Sequence, residues 1–181
     1  MSVANLITLS RLFSVPLAIW LVLSGHLTAA FWLFVAAGLS DAVDGFIAKR
    51  FDQRSPLGAL LDPLADKTLL VSMCVTLGIA GWLPNWLVIL VVFRDLFIIG
   101  GYLLAMAVSQ PIRARPLAIS KLNTALLIAL VAVVLGRLGL GLDDYHLSQV
   151  LIYAVGLTTV LSGLGYVVRW WRGFDETGQG A

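Results

Sequence analysis

The decisive stretch is Gly38-Leu-Ser40-Asp41-Ala-Val-Asp44-Gly45-Phe-Ile-Ala48-Lys49-Arg50, continuing Phe-Asp-Gln-Arg54-Ser55-Pro56-Leu-Gly58-Ala-Leu-Leu-Asp62-Pro-Leu-Ala-Asp66-Lys67. It lies between two apolar runs, residues 27–39 and 68–79. Asp41 and Asp44 stand at i, i+3, so they share one face of a helix. Gly58, Asp62 and Asp66 stand at i, i+4, i+8 and share one face of the next. The polar segment between them, rich in Arg, Ser and Pro, breaks the two helices apart.

The rest of the chain says what kind of helices these are. Of 181 residues, 60% are hydrophobic and only 12% charged, against about 45–50% and about 25% in soluble domains. The mean hydropathy of +0.96 exceeds what a soluble core of this size absorbs. A soluble enzyme and a disordered tail are excluded. A net charge of +2 is too small for a nucleic-acid binder. The single cysteine, Cys74, sits in an apolar run and offers neither a disulfide framework nor a thiol metal site. The composition implies one integral-membrane domain over residues 1–181.

A bilayer-crossing helix needs roughly 20 mostly apolar residues, which predicts six spans at about 6–24, 28–49, 57–79, 85–107, 119–137 and 147–170. The breaks carry turn chemistry: Ser24-Gly25-His26, Asp52 to Pro56, Gly81 to Pro84, Ser109 to Pro116 and Gly139 to His146. The first span lacks a basic n-region and a cleavage site and carries Arg11, so it does not read as a signal peptide. Arg50, Arg54, Arg113, Arg115, Arg169 and Arg172 fall on one side, and Arg137 with Asp143 and Asp144 on the other. Basic loops stay cytoplasmic, which predicts cytoplasmic termini; Trp82, Trp86, Trp170 and Trp171 read as interfacial anchors. No transit peptide precedes Asn5, which fits a bacterial inner membrane.

The loop of roughly seven residues after span two predicts that spans two and three pack as antiparallel neighbours. Both acidic pairs then lie roughly 8 Å inside the helical ends, all four at one depth near the cytoplasmic surface. A charged residue at the bilayer centre costs about 2.5 to 3.5 kcal/mol, and clustered anions also repel one another. A set of carboxylates alone selects hard divalent cations such as Mg²⁺ or Mn²⁺, and two ions would balance four acids. Lys49, Arg50 and Lys67 could instead brace the helices through ion pairs, but a brace needs no four acids at this spacing. Gly45 and Gly58 suit either an open backbone surface for a bulky substrate or close helix packing.

These residues resemble the signature of the CDP-alcohol phosphatidyltransferases. That signature falls on Asp41, Asp44, Gly45, Ala48, position 49, Gly58, Asp62 and Asp66 with every spacing intact. Lys49 stands where the family usually has Arg, which keeps the charge but loses the planar bidentate fork. The resemblance implies an all-α, six-transmembrane-helix bundle with a cytoplasmic catalytic face, often a homodimer. Within the family, Phe93-Arg94-Asp95 and Ile119-Ser-Lys-Leu-Asn-Thr124 look most like the CMP-forming cardiolipin synthases. The bacterial phosphatidylglycerophosphate synthases are the near neighbour, tending to Arg-Glu at 94–95 and Lys-Thr-Thr around 123–124.

The implied reaction moves a phosphatidyl group from CDP-diacylglycerol to a hydroxyl of phosphatidylglycerol, giving cardiolipin and CMP; glycerol 3-phosphate is the alternative acceptor. By resemblance, Asp41, Asp44, Asp62 and Asp66 hold two Mg²⁺ or Mn²⁺ ions, and Asp66 is also the general base. Asn5, Asp41, Gly45, Ala48, Lys49, Ser55 and Gly58 would meet the nucleotide and diphosphate. Arg94 and Lys121 lie on helices otherwise nearly free of charge, which suits binding of the acceptor's anionic phosphate. Equally, Arg94 could pair with Asp95 or a signature aspartate, and Lys121 could snorkel to the interface. His26, His146 and Cys74 receive no role. An ion-coupled transporter is the competing class, but the chain shows no inverted repeat or broken helix near the midplane.

Overall fold

Helix α1 spans Val3–Leu23 and stops where the sequence supplies a glycine. Gly25 adopts φ 78°, a left-handed conformation that costs glycine nothing. Its N–H donates to the Val22 carbonyl at 3.1 Å, and the His26 N–H donates to Leu21 at 2.8 Å. This paired closure satisfies carbonyls left over at the helix end. The helix at Pro56–Ile79 (α3) ends the same way. Gly81 has φ 79°, and Gly81 and Trp82 donate to Gly78 at 3.0 Å and Leu77 at 2.9 Å.

The other helices are α2 (Leu27–Phe51), α4 (Asn85–Ala107), α5 (Ala118–Leu140) and α6 (Leu147–Gly178). This computed structural model describes the backbone of residues 3–51, 56–107, 118–143 and 146–178, and side chains over 13–40, 67–101, 118–143 and 146–168. Among the described residues there is no strand. The all-α expectation holds, and the six helices lie where the apolar runs predict them. The widest boundary difference is at α6, which continues to Gly178, past the expected end near residue 170. Hydropathy marks where apolar sequence stops, whereas the backbone ladder continues through polar residues that tolerate helix. Ala118–Leu140 and the Leu147–Val168 stretch of α6 are each long and apolar enough to cross a bilayer.

Helix α1 packs on α2 and α3, α5 packs on α2, α3 and α6, and α4 packs on α3 and α6. Met73, Cys74, Leu77, Leu87, Leu130 and Val155 are fully buried between them. Large apolar side chains also point outward: Phe13, Trp32, Ile79, Phe93 and Tyr153 are each more than half exposed. A surface this apolar suits a hydrocarbon solvent better than water. Helices α2 and α5 approach closely at one point, where Thr28 Oγ1 donates to the Gly139 carbonyl at 2.5 Å. A Cβ on Gly139 would sit 2.7 Å from the Leu27 carbonyl carbon and oxygen. Glycine is what permits that approach.

The expected packing of α2 on α3 next to their connecting loop falls on residues 41–66, whose side chains lie outside the described residues. The two helices are joined through α1 and α5, and an apolar cavity of about 330 Å³ lies between them. Phe34 and Gly38 of α2, Leu70 and Lys67 of α3, and Thr124 and Ile128 of α5 line it. A short connection constrains the loop-side ends of two helices but leaves their separation elsewhere to the side chains and neighbours between them.

Candidate functional site

A polar cluster lies inside the apolar helices. Arg94 of α4 is only 5% exposed. Its Nη1 donates to Asp95 Oδ1 at 2.5 Å. Its Nη2 donates to Ser120 Oγ of α5 at 2.5 Å and to Ser162 Oγ of α6 at 2.7 Å. Lys67 Nζ of α3 lies 3.6 Å from the same Asp95 oxygen. One anion therefore sits between two cations, and four helices meet through it. Arg94 Nε is buried without a hydrogen-bond partner.

A neutral network continues along the α5–α6 seam. Asn123 Oδ1 accepts from Thr158 Oγ1 at 2.8 Å and from Thr159 Oγ1 at 2.9 Å. Thr124 Oγ1 donates back to the Ser120 carbonyl at 3.1 Å. In an apolar setting such polar groups must satisfy each other, and these do.

This cluster adjoins the acidic signature along α3, because Lys67 follows Asp66 directly. Asp41 and Asp44 lie on helical backbone in α2, Asp62 and Asp66 on helical backbone in α3. Their i, i+3 and i, i+4 registers are thus registers on real helices, which keeps each pair on one face. With α2 ending at Phe51 and α3 starting at Pro56, Asp44 and Asp62 lie roughly 9–11 Å inside the helical ends. The side chains of all four acids lie outside the described residues. As a donor set, four carboxylates with no His or Cys between them fit hard divalent cations. Among the described residues alone there is no group of three or more metal-ligating side chains.

The family model for CDP-alcohol phosphatidyltransferases matches residues 1–163. The chain belongs to that family. The chain is 33% identical over 185 residues to a probable CMP-forming cardiolipin synthase of Drosophila melanogaster, covering 93% of this chain and 58% of that protein. It is 31% identical over 181 residues to the CMP-forming cardiolipin synthase of Homo sapiens, with coverages of 91% and 60%. It is 33% identical over 176 residues to a probable phosphatidylglycerophosphate synthase of Mycobacterium tuberculosis, covering 93% of this chain and 81% of that protein. The chain thus spans little more than half the length of these cardiolipin synthases and most of the mycobacterial protein.

Of the residues to which the family resemblance gives nucleotide or diphosphate contacts, Asn5 lies on α1, Gly45, Ala48 and Lys49 on α2, and Gly58 on α3. Their side chains lie outside the described residues, and Ser55 lies outside them altogether. Arg94 and Lys121 differ sharply in setting. Arg94 is buried and engaged with Asp95, whereas Lys121 is exposed at the start of α5, next to Ser120. Lys67, weighed in the sequence as a brace for the signature acids, is paired with Asp95 among the described residues, and the signature acids' side chains lie outside them. Ser120 and Asn123 entered the sequence reading only as part of the 119–124 run, and Ser162, Thr158 and Thr159 not at all. Their available signal was spacing, since Ser120, Asn123 and Thr124, and likewise Thr158 and Ser162, recur at i, i+3 or i+4 on otherwise apolar helices. His26 is exposed and stacked on Trp20 with ring centres 5.8 Å apart, and Cys74 is buried.

Proposed function

We propose that this chain transfers the phosphatidyl group of CDP-diacylglycerol to a hydroxyl of phosphatidylglycerol, forming cardiolipin and releasing CMP. The observation that carries this reading is the signature from Asp41 to Asp66, every spacing intact with Lys49 at the usual Arg position, on α2 and α3. In the reaction the acceptor oxygen forms a bond to the phosphatidyl phosphorus, the bond from that phosphorus to the CMP oxygen breaks, and the acceptor proton passes to Asp66. Asp41, Asp44, Asp62 and Asp66 would hold two divalent ions, Mg²⁺ or Mn²⁺. When bound, these supply positive charge against the diphosphate as its leaving oxygen gains charge. Asn5, Gly45, Ala48, Lys49, Ser55 and Gly58 bind the nucleotide and diphosphate, glycine leaving the backbone open to the ligand. Lys121, exposed beside the polar cluster, is free to meet an anionic headgroup. Arg94 acts beside it from within the cluster.

We place all six helices across the membrane, with both termini and the signature on the cytoplasmic side. The arginine distribution supports this, and so do the outward apolar side chains. The same reading makes residues 1–181 one catalytic domain working as a homodimer in a bacterial inner membrane. The match to a phosphatidylglycerophosphate synthase over most of that protein's length favours a second reading, in which glycerol 3-phosphate is the acceptor.

The test is purified protein in lipid vesicles with CDP-diacylglycerol and Mg²⁺ or Mn²⁺, offered each acceptor in turn, with CMP and the lipid product identified by mass. Cardiolipin formed with phosphatidylglycerol supports the first reading, and phosphatidylglycerophosphate formed with glycerol 3-phosphate supports the second. Ion flux across the vesicles without CMP would point to a transporter and refute both.

A further inference from the structure

The polar cluster carries more positive than negative charge among its described members: Arg94 and Lys67 share the single carboxylate of Asp95. The two cations are not equivalent. The guanidinium of Arg94 is enclosed, with both terminal nitrogens occupied. The Lys67 side chain is 41% exposed and forms part of the wall of the cavity between α2, α3 and α5. An ammonium has three rotatable donors, and at 3.6 Å Asp95 holds it by charge while leaving donors to turn elsewhere. The other lining residues among those described are almost wholly apolar, with Phe34, Leu70 and Ile128 among them. At about 330 Å³ the cavity lies at the small end of the range for ligand sites, matching part of a hydrocarbon chain. A cation at the rim of an apolar cavity in a lipid-facing protein is complementary to an anionic lipid.

We propose that Lys67 binds the phosphodiester of the acceptor lipid, phosphatidylglycerol, with one acyl chain in this cavity, and that Asp95, buttressed by Arg94, is the positioning residue that holds the ammonium at the rim. The inference rests on the phosphatidyl-transfer reading. The donor's diphosphate is assigned to signature residues that do not include Lys67, so this cation, next to Asp66 on α3, is left to serve the second substrate alongside Lys121. A lipid acceptor fills both parts of the site, whereas glycerol 3-phosphate would use the charge and leave the cavity empty.

The experiment measures equilibrium binding of dioleoyl phosphatidylglycerol to the detergent-solubilised protein without CDP-diacylglycerol, then KM for each substrate in vesicles. Lys67→Met keeps the apolar stem and removes the charge. It is expected to weaken phosphatidylglycerol binding and raise its KM by about tenfold or more, as loss of a charge-assisted contact does, with the KM for CDP-diacylglycerol changing less than about twofold. Lys67→Arg restores most of the loss, and Asp95→Asn raises the same KM with little change in kcat. Gly38→Leu tests the cavity independently, because an added Cβ there meets nothing within 4 Å. It is expected to raise the KM for dioleoyl but not dihexanoyl phosphatidylglycerol. Three results overturn the assignment: unchanged binding in Lys67→Met, an equal rise in both KM values, or no effect of Gly38→Leu on the long-chain lipid. If the wild type turns over normally and Lys67→Met behaves like it, only this inference fails. Wild type that releases no CMP with either acceptor refutes the transferase reading and this inference together.

Discussion

Replacing Arg94 tests whether the buried cluster holds the four helices together. Arg94→Met fills much of the same volume but removes the donors to Asp95, Ser120 and Ser162. The Asp95 side chain, 15% exposed, would then keep only Lys67 at 3.6 Å, and that lysine is 41% exposed. A partly solvated partner of this kind offsets about 1 kcal/mol at most. Stripping one member from a buried ion pair costs about 3–5 kcal/mol, because the other charge is left in a poor solvent. The expected destabilisation is therefore about 2–4 kcal/mol once the lysine is counted. Denaturant unfolding in a fixed detergent measures it, and a double-mutant cycle with Asp95→Leu isolates the pair. The double variant is expected to be more stable than Arg94→Met alone, since no unpaired carboxylate is left behind. If Arg94→Met costs under about 1 kcal/mol, or the double variant is the less stable, the carboxylate is solvated or neutralised in another way and the argument fails.

Asp66→Asn keeps the shape of the proposed base but cannot take a proton, so it is expected to bind CDP-diacylglycerol while CMP release falls by about 10²-fold or more; near-wild-type turnover removes Asp66 from that role. Chelation with EDTA is expected to abolish CMP release, and Mg²⁺ or Mn²⁺ to restore it where Ca²⁺, larger and looser in coordination, restores less; activity that survives chelation refutes the metal assignment. Gly139→Ala forces a methyl against the Leu27 backbone, which no rotamer relieves, and is expected to destabilise the chain by about 1–3 kcal/mol. Gly100→Ala, whose Cβ would meet nothing within 4 Å, is expected to be neutral or to stabilise by up to about 1 kcal/mol. Equal unfolding midpoints for these two variants would contradict the close approach of α2 and α5.

Much of the fold was legible because its determinants are local. Gly25 and Gly81 stand after apolar runs, and both helices stop there in the left-handed conformation that glycine accepts. The spacing of Asp41, Asp44, Gly58, Asp62 and Asp66 likewise needs only helical geometry to place each set on one face, and the family match is carried by the same spacing. The hydropathy likewise pointed towards a lipid solvent, and Ala118–Leu140 and Leu147–Val168 are long and apolar enough to cross one.

Tertiary structure alone decided which groups meet. Ser120 and Ser162 lie 26 and 68 residues from Arg94, and no local pattern says that α5 and α6 will bring them to one guanidinium. The pairing of Lys67 with Asp95 depends on how α3 and α4 pack, and the cavity between α2 and α3 on how both pack with α5. Periodicity along a chain records which face of a helix is apolar, since that is a property of one segment in its solvent. Partner choice is set by crossing angles, register and side-chain volume shared among several segments, and those quantities exist only once the helices have packed.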